Sequence, residues 1–266
     1  TDAATTLAGD LYIYGRESAQ ITASSSGLAS ITGDATVSAS VIGNSIPNPN
    51  NPADLDAEAG LALVSASDNG TVEIDGDTLV LANATMGLDS GGLVAGNAVG
   101  GIAEVSAINA AVTLGGFVTI SASGLPTSSI LAYNSGGSAE GGLAVLDSSA
   151  GGRINIAGQT RLTANGTAFN LTGAGNSLPV GTGTAGEILV QADDDGLIDI
   201  DASLIVNATG TGSSVGGPVA GDGFAGPVRL AVTNASSVDI GGDLTIVSGA
   251  VGGNATTGAG GQASSN

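Results

Sequence analysis

A short motif of two apolar residues separated by one other residue, usually followed by Gly and often by Asp, recurs along the whole chain. Successive copies lie 40 to 44 residues apart. A period of this length indicates a solenoid, because one repeat cannot bury its apolar face until the next repeat stacks on it. The second apolar residue of each copy is Ile31, Ile74, Leu114, Ile156, Ile200 or Ile240.

Each copy of the motif lies between two further runs in which apolar and polar residues alternate. Residues 61–65 precede the copy that ends at Ile74, and residues 78–82 follow it. Such runs, bounded by Gly, Asn, Asp or Ser, are typical of short strands joined by tight turns. We therefore predict an all-β fold, a right-handed parallel β-helix with three strands per coil. Residues 1–266 would form a single solenoid segment of about six to seven coils of about 40 residues each.

The segments between the predicted strands differ in length. Asp68-Asn69-Gly70 and Asp193-Asp194-Asp195-Gly196 suit corners, because Gly, Asn and Asp tolerate positive φ angles. Residues 86–100 and 209–225 are longer and rich in Gly, Ser and Ala. We predict that these longer segments form one series of Gly-rich loops on one edge.

The predicted core is made of thin aliphatic layers, because aromatic residues supply only 2% of the chain and Gly supplies 46 residues. The second apolar residue of the motif holds the same position relative to the following turn in every repeat. We predict that these residues form one inward column, namely Ile31, Ile74, Leu114, Ile156, Ile200 and Ile240.

Composition excludes several classes of function. The formal charge of −20 repels nucleic acid and anionic membrane surfaces. The absence of His and Cys excludes His-dependent catalytic triads, thiol nucleophiles, thiolate metal sites and disulfides. No apolar run approaches the roughly 20 residues of a membrane-spanning helix, so we expect no direct membrane insertion.

Carboxylates remain as candidate catalytic groups, since some parallel β-helices cleave glycans with paired acids. The sequence suggests comparable outward positions for Asp75, Asp199 and Asp239, of which only Asp199 and Asp239 belong to adjacent repeats. No cluster of acids and bases on one face of adjacent coils accompanies them, although Arg153 and Arg161 lie on predicted faces. We therefore predict that the chain is not an enzyme, with a glycan-binding or glycan-cleaving β-helix as the alternative.

Calcium is the only cofactor for which the sequence offers candidate ligands. Asp193, Asp194 and Asp195 place three carboxylates in one turn, and hard cations favour several oxygen ligands. The spacing is not that of an EF-hand, and an ordinary solvated corner explains the same residues. No other cofactor is expected.

The two ends of the chain resemble each other in sequence. Residues 7–14 match residues 240–247, so the chain begins partway through a coil, and residues 261–266 look like the opening of another coil. We predict that the segment is one unit of a head-to-tail array, continued covalently or by stacking. The predicted contacts are Leu7, Leu11 and Ile13 at one end, and Gly261 and Ala263 at the other.

The recurring motif with its following Gly-Asp resembles the filamentous-haemagglutinin-like β-helix exoproteins, which include two-partner-secreted adhesins and autotransporter passengers. The Gly-Gly-Leu or Gly-Gly-Ile openings at 91–93, 100–102 and 141–143 and the loops of Gly, Ala, Ser, Thr and Asn carry the same resemblance. The resemblance implies a secreted or cell-surface protein with a structural or adhesive role in attachment, biofilm or extracellular filaments. Its partners would be copies of itself, host or environmental surfaces, or glycans.

Overall fold

The computed structural model describes residues 4–43, 55–87, 95–126, 137–168, 180–214, 219–255 and 259–264. These residues form 30 β-strands and no α-helix, and every pairing between strands is parallel. The prediction of an all-β chain of parallel sheets is confirmed. Among the described residues, no helix is long and apolar enough to cross a membrane.

The chain makes successive passes, and equivalent strands of neighbouring passes pair with each other in the same sheet. Sheet 1 has seven strands and contains the recurring motif. Its order is the order of the sequence, so each strand pairs with the strand from the pass before and the strand from the pass after. The strands are Ala4–Leu7, Leu28–Ile31, Thr71–Ile74, Ala111–Leu114, Arg153–Ile156, Leu197–Ile200 and Ser237–Ile240.

Sheet 2 follows sheet 1 in each pass and has 11 strands. The longer strands are Leu11–Tyr14, Ala35–Ser38, Thr78–Leu81, Val118–Ser121, Thr160–Thr163, Leu204–Thr211 and Leu244–Val251. In the earlier passes a two-residue strand comes directly after the longer one, at Val41–Ile42, Ala84–Thr85, Gly124–Leu125 and Gly166–Thr167. Leu204–Thr211 pairs with both kinds and joins them into one sheet.

Sheet 3 precedes sheet 1 in each pass and has six strands. They are Ser18–Ala23, Leu61–Ser67, Ile102–Ile108, Leu143–Ser149, Glu187–Ala192 and Val228–Val232. A tight turn with consecutive positive φ angles connects sheet 3 to sheet 1, for example at Asp68 (51°) and Asn69 (64°). The N–H of Gly70 closes that turn onto the carbonyl of Ser67 at 2.8 Å, as in a type I′ turn.

Sheet 4 consists of six two-residue strands that the sequence did not predict. They are Ala57–Glu58, Ala98–Val99, Ala139–Glu140, Gly183–Thr184, Gly223–Phe224 and Ala263–Ser264. Part of the predicted loop series is therefore strand, including Ala98–Val99 and the end of Leu204–Thr211. Residues 88–94 and 215–218 of that series, and the Gly-Gly-Leu at 91–93, lie outside the described residues.

The core lies between sheets 1, 2 and 3 and is almost entirely aliphatic. Alternate residues of each strand point into it, as in Leu61–Ser67, where Ala62, Val64 and Ala66 are buried. The two-residue strands of sheet 2 pack against sheet 4 and form a thinner extension beside this body. We use "body" for sheets 1 and 3 with the longer strands of sheet 2, and "extension" for the two-residue strands with sheet 4 and residues 208–211 and 248–251.

Candidate functional site

The predicted inward column is continuous along sheet 1. The register pairs Ile31 with Ile74, Ile74 with Leu114, and so on through Ile156 and Ile200 to Ile240. Five of the six side chains are at most 3% exposed, whereas Ile240 is partly buried because its strand is the last in the sheet. Leu7 continues the column at the other end and is 37% exposed.

The C-terminal end of the body is open. Val228–Val232 and Leu244–Val251 are edge strands, so side chains that are buried one pass earlier face solvent here. Leu230 is 44% exposed although its partner Val190 is 1% exposed, and Ile246 is 49% exposed although its partner Val206 is 1% exposed. Gly261 and Ala263 lie beside this end, and Ala263 extends sheet 4 by pairing with Gly223.

The N-terminal end of the body is open as well. Leu7, Leu11 and Ile13 line a cavity of about 570 Å³ together with Ile21 and Ile31. Leu11 and Ile13 are partly buried against the core, so they form the layer of the apolar interior nearest to the N-terminus. The structure thus places the predicted contact residues at opposite ends of the stacked sheets.

Asp residues of the recurring motif join one pass to the next. The backbone N–H of Asp34 donates to Asp10 Oδ1 at 3.0 Å, and the N–H of Asp77 donates to Asp34 Oδ1 at 2.8 Å. The N–H of Phe117 donates in turn to Asp77 Oδ1 at 2.8 Å. Gly precedes Asp at these corners because a Cβ at Gly33 would clash with the Asp10 carboxylate. The Gly-Asp pair therefore has a structural role at the corner.

A second series of polar side chains bridges the passes between the longer and shorter strands of sheet 2. Asn83 Oδ1 accepts hydrogen bonds from the hydroxyl of Ser121 (2.7 Å) and the N–H of Ser123 (2.8 Å). Asn165 repeats the arrangement by accepting from the N–H of Thr209 at 2.9 Å. Sequence reasoning missed this series, although a Ser or Asn recurs two residues after the strand that follows the motif.

The calcium candidates belong to the turn between sheets 3 and 1. Asp194 and Asp195 adopt its positive φ angles of 48° and 63°. Asp193 Oδ1 accepts hydrogen bonds from the Thr233 hydroxyl, from the N–H of Asp194 at 2.9 Å and from Asn234 Nδ2 at 3.0 Å. In the described part of the chain, no three acidic side chains are arranged to hold a metal ion. These carboxylates therefore organise a corner and do not converge on a cation.

The hydrogen bond from Thr233 is the largest influence on Asp193 and holds the pKa of its carboxyl below the usual value. The backbone N–H of Asp194 and the side chain of Asn234 lower that pKa further. Because Thr233 and Asn234 belong to the following pass, ionised Asp193 helps to hold two passes together.

The proposed equivalence of Asp75, Asp199 and Asp239 is wrong. Asp199 pairs with Asp239 in the register of sheet 1, but Asp75 lies beyond the end of its strand. The residue of that pass in the same column is Glu73, which pairs with Ser30 and Thr113. Asp75 follows the second apolar residue of its motif, whereas Asp199 and Asp239 precede theirs, so Asp75 lies two positions beyond the residue that belongs to their column.

The half-buried carboxyl of Asp147 lies in sheet 3, where its register partners are Ser106 and Gln191. Burial raises the pKa of Asp147 above its usual value, and the negative charges of Glu104 and Asp193 raise it further. Asp147 Oδ1 is buried without a hydrogen-bond partner. On the same face, the guanidinium of Arg229 lies 3.4 Å from the carboxylate of Glu187, and both side chains are partly exposed.

A groove beside sheet 4 is the candidate site for the alternative, glycan-related function. Its volume is about 830 Å³, and its lining includes Arg16, Glu17, Asp56, Glu58 and Asn97. Asp56 Oδ1 already accepts a hydrogen bond from the N–H of Asn97 at 2.6 Å. The groove thus has charged groups of both signs, but part of its polar lining is committed to joining the passes.

No family model, curated protein or solved structure is detectably similar to this chain.

Proposed function

We propose that this chain is a structural or adhesive module of an extracellular fibre or cell-surface stalk, belonging with the filamentous-haemagglutinin-like β-helix exoproteins. In this proposal it is a right-handed β-solenoid of six to seven coils, exported to the cell surface or secreted. The observation that carries the proposal is a parallel ladder of equivalent strands through sheets 1 to 3 around one continuous aliphatic interior.

Stiffness follows from how the passes are joined. Backbone ladders link neighbouring passes in every sheet, and polar side chains add bonds at the corners, such as the N–H of Asp77 with Asp34 Oδ1. Each strand adds about 4.8 Å along the stack, so the seven strands of sheet 1 span roughly 30 Å. Such a module adds length to a fibre and presents a repetitive acidic surface.

The partner in this proposal is a second copy, joined head to tail. In sheet 1, the N–H that follows each column residue donates to the carbonyl of the column residue in the preceding pass. Thr32 donates to Leu7 in this way, and Asp75 donates to Ile31. Continuing that series, the carbonyl of Ile240 would accept from the N–H of Ala8 in the next copy. The N–H of Asp10 would meet the free carboxylate of Asp243 in the same way. The ends differ, so the contact is heterologous and extends into filaments.

Electron microscopy and sedimentation of the purified chain test this proposal. We expect filaments, or particles well above the 25.0 kDa of one chain, with mass increasing with concentration. Leu230→Lys places a charge on the open C-terminal layer and should leave single copies. Ile42→Lys alters a side chain that is 78% exposed on the lateral surface and should assemble like the wild type. A wild-type chain that stays monomeric at high concentration would contradict head-to-tail assembly.

The second candidate is a glycan-binding or glycan-cleaving protein that uses the groove beside sheet 4. The observation in its favour is that Arg16 and the carboxylates of Glu17, Asp56 and Glu58 line the same open cavity of about 830 Å³. Titration with acidic and neutral oligosaccharides, followed by NMR shifts of Arg16 and Glu58, tests it. Shifts that saturate, together with release of reducing ends, would favour this candidate over the structural one.

A further inference from the structure

Sheet 3 has aliphatic side chains on its outer side as well as in the core. In Leu61–Ser67, Ala62 and Val64 are buried in the core. Leu61 and Leu63 lie on the opposite side of the strand and are partly exposed. The register places aliphatic residues of the next three passes on the same side. We call this set the sheet 3 patch, and its members are Leu61, Leu63, Ile102, Leu143, Val145 and Leu189.

The outer side of sheet 1 is more polar. One of its columns contains only polar residues, namely Ser30, Glu73, Thr113, Asn155, Asp199 and Asp239. Strands with one side in water alternate between apolar and polar residues, whereas strands of a parallel sheet covered on both sides are near-continuous apolar runs. Residues 61–64 (Leu-Ala-Leu-Val) and 143–146 (Leu-Ala-Val-Leu) are runs of the second kind. These strands of sheet 3 therefore have the sequence of a sheet that is covered on its outer side.

The described residues leave the sheet 3 patch uncovered. Ile102 is 41% exposed, and the other members except Val145 are partly exposed as well. The inner side of sheet 3 packs against sheets 1 and 2. The patch lies on the side of the stack and not at its ends, so head-to-tail contacts leave it accessible. It does not depend on the proposed function.

Carboxylates interrupt the patch. Glu104 pairs in register with Val145 and, in the preceding pass, with another member of the patch. Asp147 is two residues beyond Val145 on the same strand, and its Oδ1 is buried without a hydrogen-bond partner. Burial, and next the negative charge of Glu104, raise the pKa of Asp147. Within the described strands of sheet 3 the one cation is Arg229, which pairs with Glu187. Glu104 and Asp147 thus offer negative charge to a cation from outside the chain.

We propose that the sheet 3 patch docks a cationic amphipathic α-helix of a partner protein. Leu, Ile or Val on one side of the helix covers the aliphatic members of the patch, and Lys or Arg on its flank meets Glu104 and Asp147. A helix pairs its own backbone groups, whereas a strand laid on the face of a sheet would leave its N–H and C=O groups unpaired. The four passes of the patch span roughly 14 Å, and a helix of about three turns spans roughly 16 Å.

Charge favours a different polypeptide over a second copy of this chain. Two sheet 3 patches in contact would bring the Glu104 and Asp147 carboxylates of both copies together, and like charges across an interface are unfavourable. The chain has 24 Asp and Glu against 4 Lys and Arg, so it supplies few cations for such a contact.

A synthetic peptide that contains Leu-Lys-Lys-Leu-Leu-Lys-Leu twice is the probe, and the same peptide with Glu in place of Lys is its control. Both have Leu at helical spacing and differ in charge. We expect the Lys peptide to bind the full chain saturably by fluorescence anisotropy, and to gain helical circular dichroism when bound. The Glu peptide should not bind at the same concentrations. A photoreactive Leu in the Lys peptide should crosslink to residues 61–67 and 102–108.

Matched protein variants separate docking on the patch from general attraction to an acidic chain. Glu104→Gln removes a charge inside the patch, and Glu73→Gln removes one from the outer side of sheet 1. Leu63→Gln removes an aliphatic member of the patch, and Leu79→Gln removes a Leu that is 37% exposed on the outer side of sheet 2. We expect Glu104→Gln and Leu63→Gln each to weaken binding at least about fivefold, and the two controls to stay within about twofold of wild type. All four variants should melt close to wild type.

Three results would overturn the proposal. Equal weakening by Glu104→Gln and Glu73→Gln would mean that net charge alone attracts the peptide. Crosslinks confined to sheets 1, 2 or 4 would place the peptide elsewhere. A lower sedimentation coefficient for Leu63→Gln than for Leu79→Gln, measured without peptide, would mean that a second copy covers the patch, whereas we expect the two coefficients to be equal.

Discussion

The body and the extension pack in different ways. In the body, the columns between the sheets are filled by side chains such as Ile74, Leu114 and Ile156, each at most 1% exposed. In the extension, the backbones themselves come into contact. A Cβ added at Gly166 would overlap the carbonyl oxygen of Thr184, and one added at Gly210 would overlap that of Phe224.

The extension also changes along the chain. Its earlier passes have Val41 and Ala84 at the inward position, whereas the equivalent residues later are Gly124, Gly166 and Gly210. A body layer depends on apolar volume, whereas the extension layers that contain Gly124, Gly166 and Gly210 depend on the absence of a side chain at that position. The same stacking of passes is thus stabilised by burial in one region and by close backbone approach in the other.

The most damaging change should be a charge in the body column. Ile156→Asp places an unpaired carboxylate between Leu114 and Ile200, and we expect a loss of about 3–5 kcal/mol, comparable to the stability of a small domain. Chemical denaturation followed by circular dichroism measures it. The neighbouring Asn155→Ser alters an outward side chain without adding a charge beside Asp199 and should change little. A melting temperature for Ile156→Asp within a degree or two of wild type would contradict the assigned register.

A bulky residue in the extension should cost less. Gly166→Val forces apart the strands Gly166–Thr167 of sheet 2 and Gly183–Thr184 of sheet 4, which face each other across the extension. Overpacking of this kind typically costs about 1–3 kcal/mol. We expect a lower melting temperature while the body keeps its strand signal. Gly249→Ala is the control, because the nearest atom to its new Cβ would be Thr209 Oγ1 at 3.9 Å. If Gly166→Val were as damaging as Ile156→Asp, the two regions would not differ as described.

Removing a corner carboxylate should have a moderate effect. Asp77→Ala leaves the N–H of Phe117 without its acceptor, and we expect a loss of about 1 kcal/mol in the free energy of unfolding. Asp77→Asn retains an oxygen at that position and should recover most of the stability. Similar losses in both variants would point to the charge, and not the hydrogen bond, as the stabilising feature.

Asp147 should give the smallest effect, and one that depends on pH. Because its folded pKa is raised above the unfolded value near 3.8, ionisation of Asp147 destabilises the fold, and the penalty grows as pH rises through the folded pKa. Asp147→Asn should therefore stabilise the chain at pH 7 by less than about 1 kcal/mol, since solvent screens part of the charge. The gain should vanish by pH 3. A gain of equal size at both pH values would exclude ionisation as the cause.

Much of the body could be predicted from sequence because a repeated motif defines both the strands and their register. Once Ile31 and Ile74 occupy the same position relative to a turn, stacking aligns the rest of each strand. The wrong assignment of Asp75 indicates that the motif aligns only the residues inside the strand, and not those that follow it. Asp75 follows Ile74, whereas Asp199 and Asp239 precede Ile200 and Ile240, so Asp75 lies two positions beyond the column that contains Glu73.

The extension could not be predicted in the same way. A two-residue strand such as Ala98–Val99 is too short for alternation to be recognised, and its Gly- and Ala-rich surroundings resemble a loop. The bonds of Asn83 were also hidden, because its partners Ser121 and Ser123 come from the next pass, 38 and 40 residues away.

The direction of the backbone ladders has a mechanical consequence. Hydrogen bonds between passes run along the stacking direction, so a tensile force between the two ends loads each interface between passes in series. Within one interface the sheets share that load, but the strength of the whole stack is that of its weakest interface. A substitution in a single pass, such as Ile156→Asp, should therefore lower the rupture force of the whole stack by weakening only the interfaces on either side of that pass.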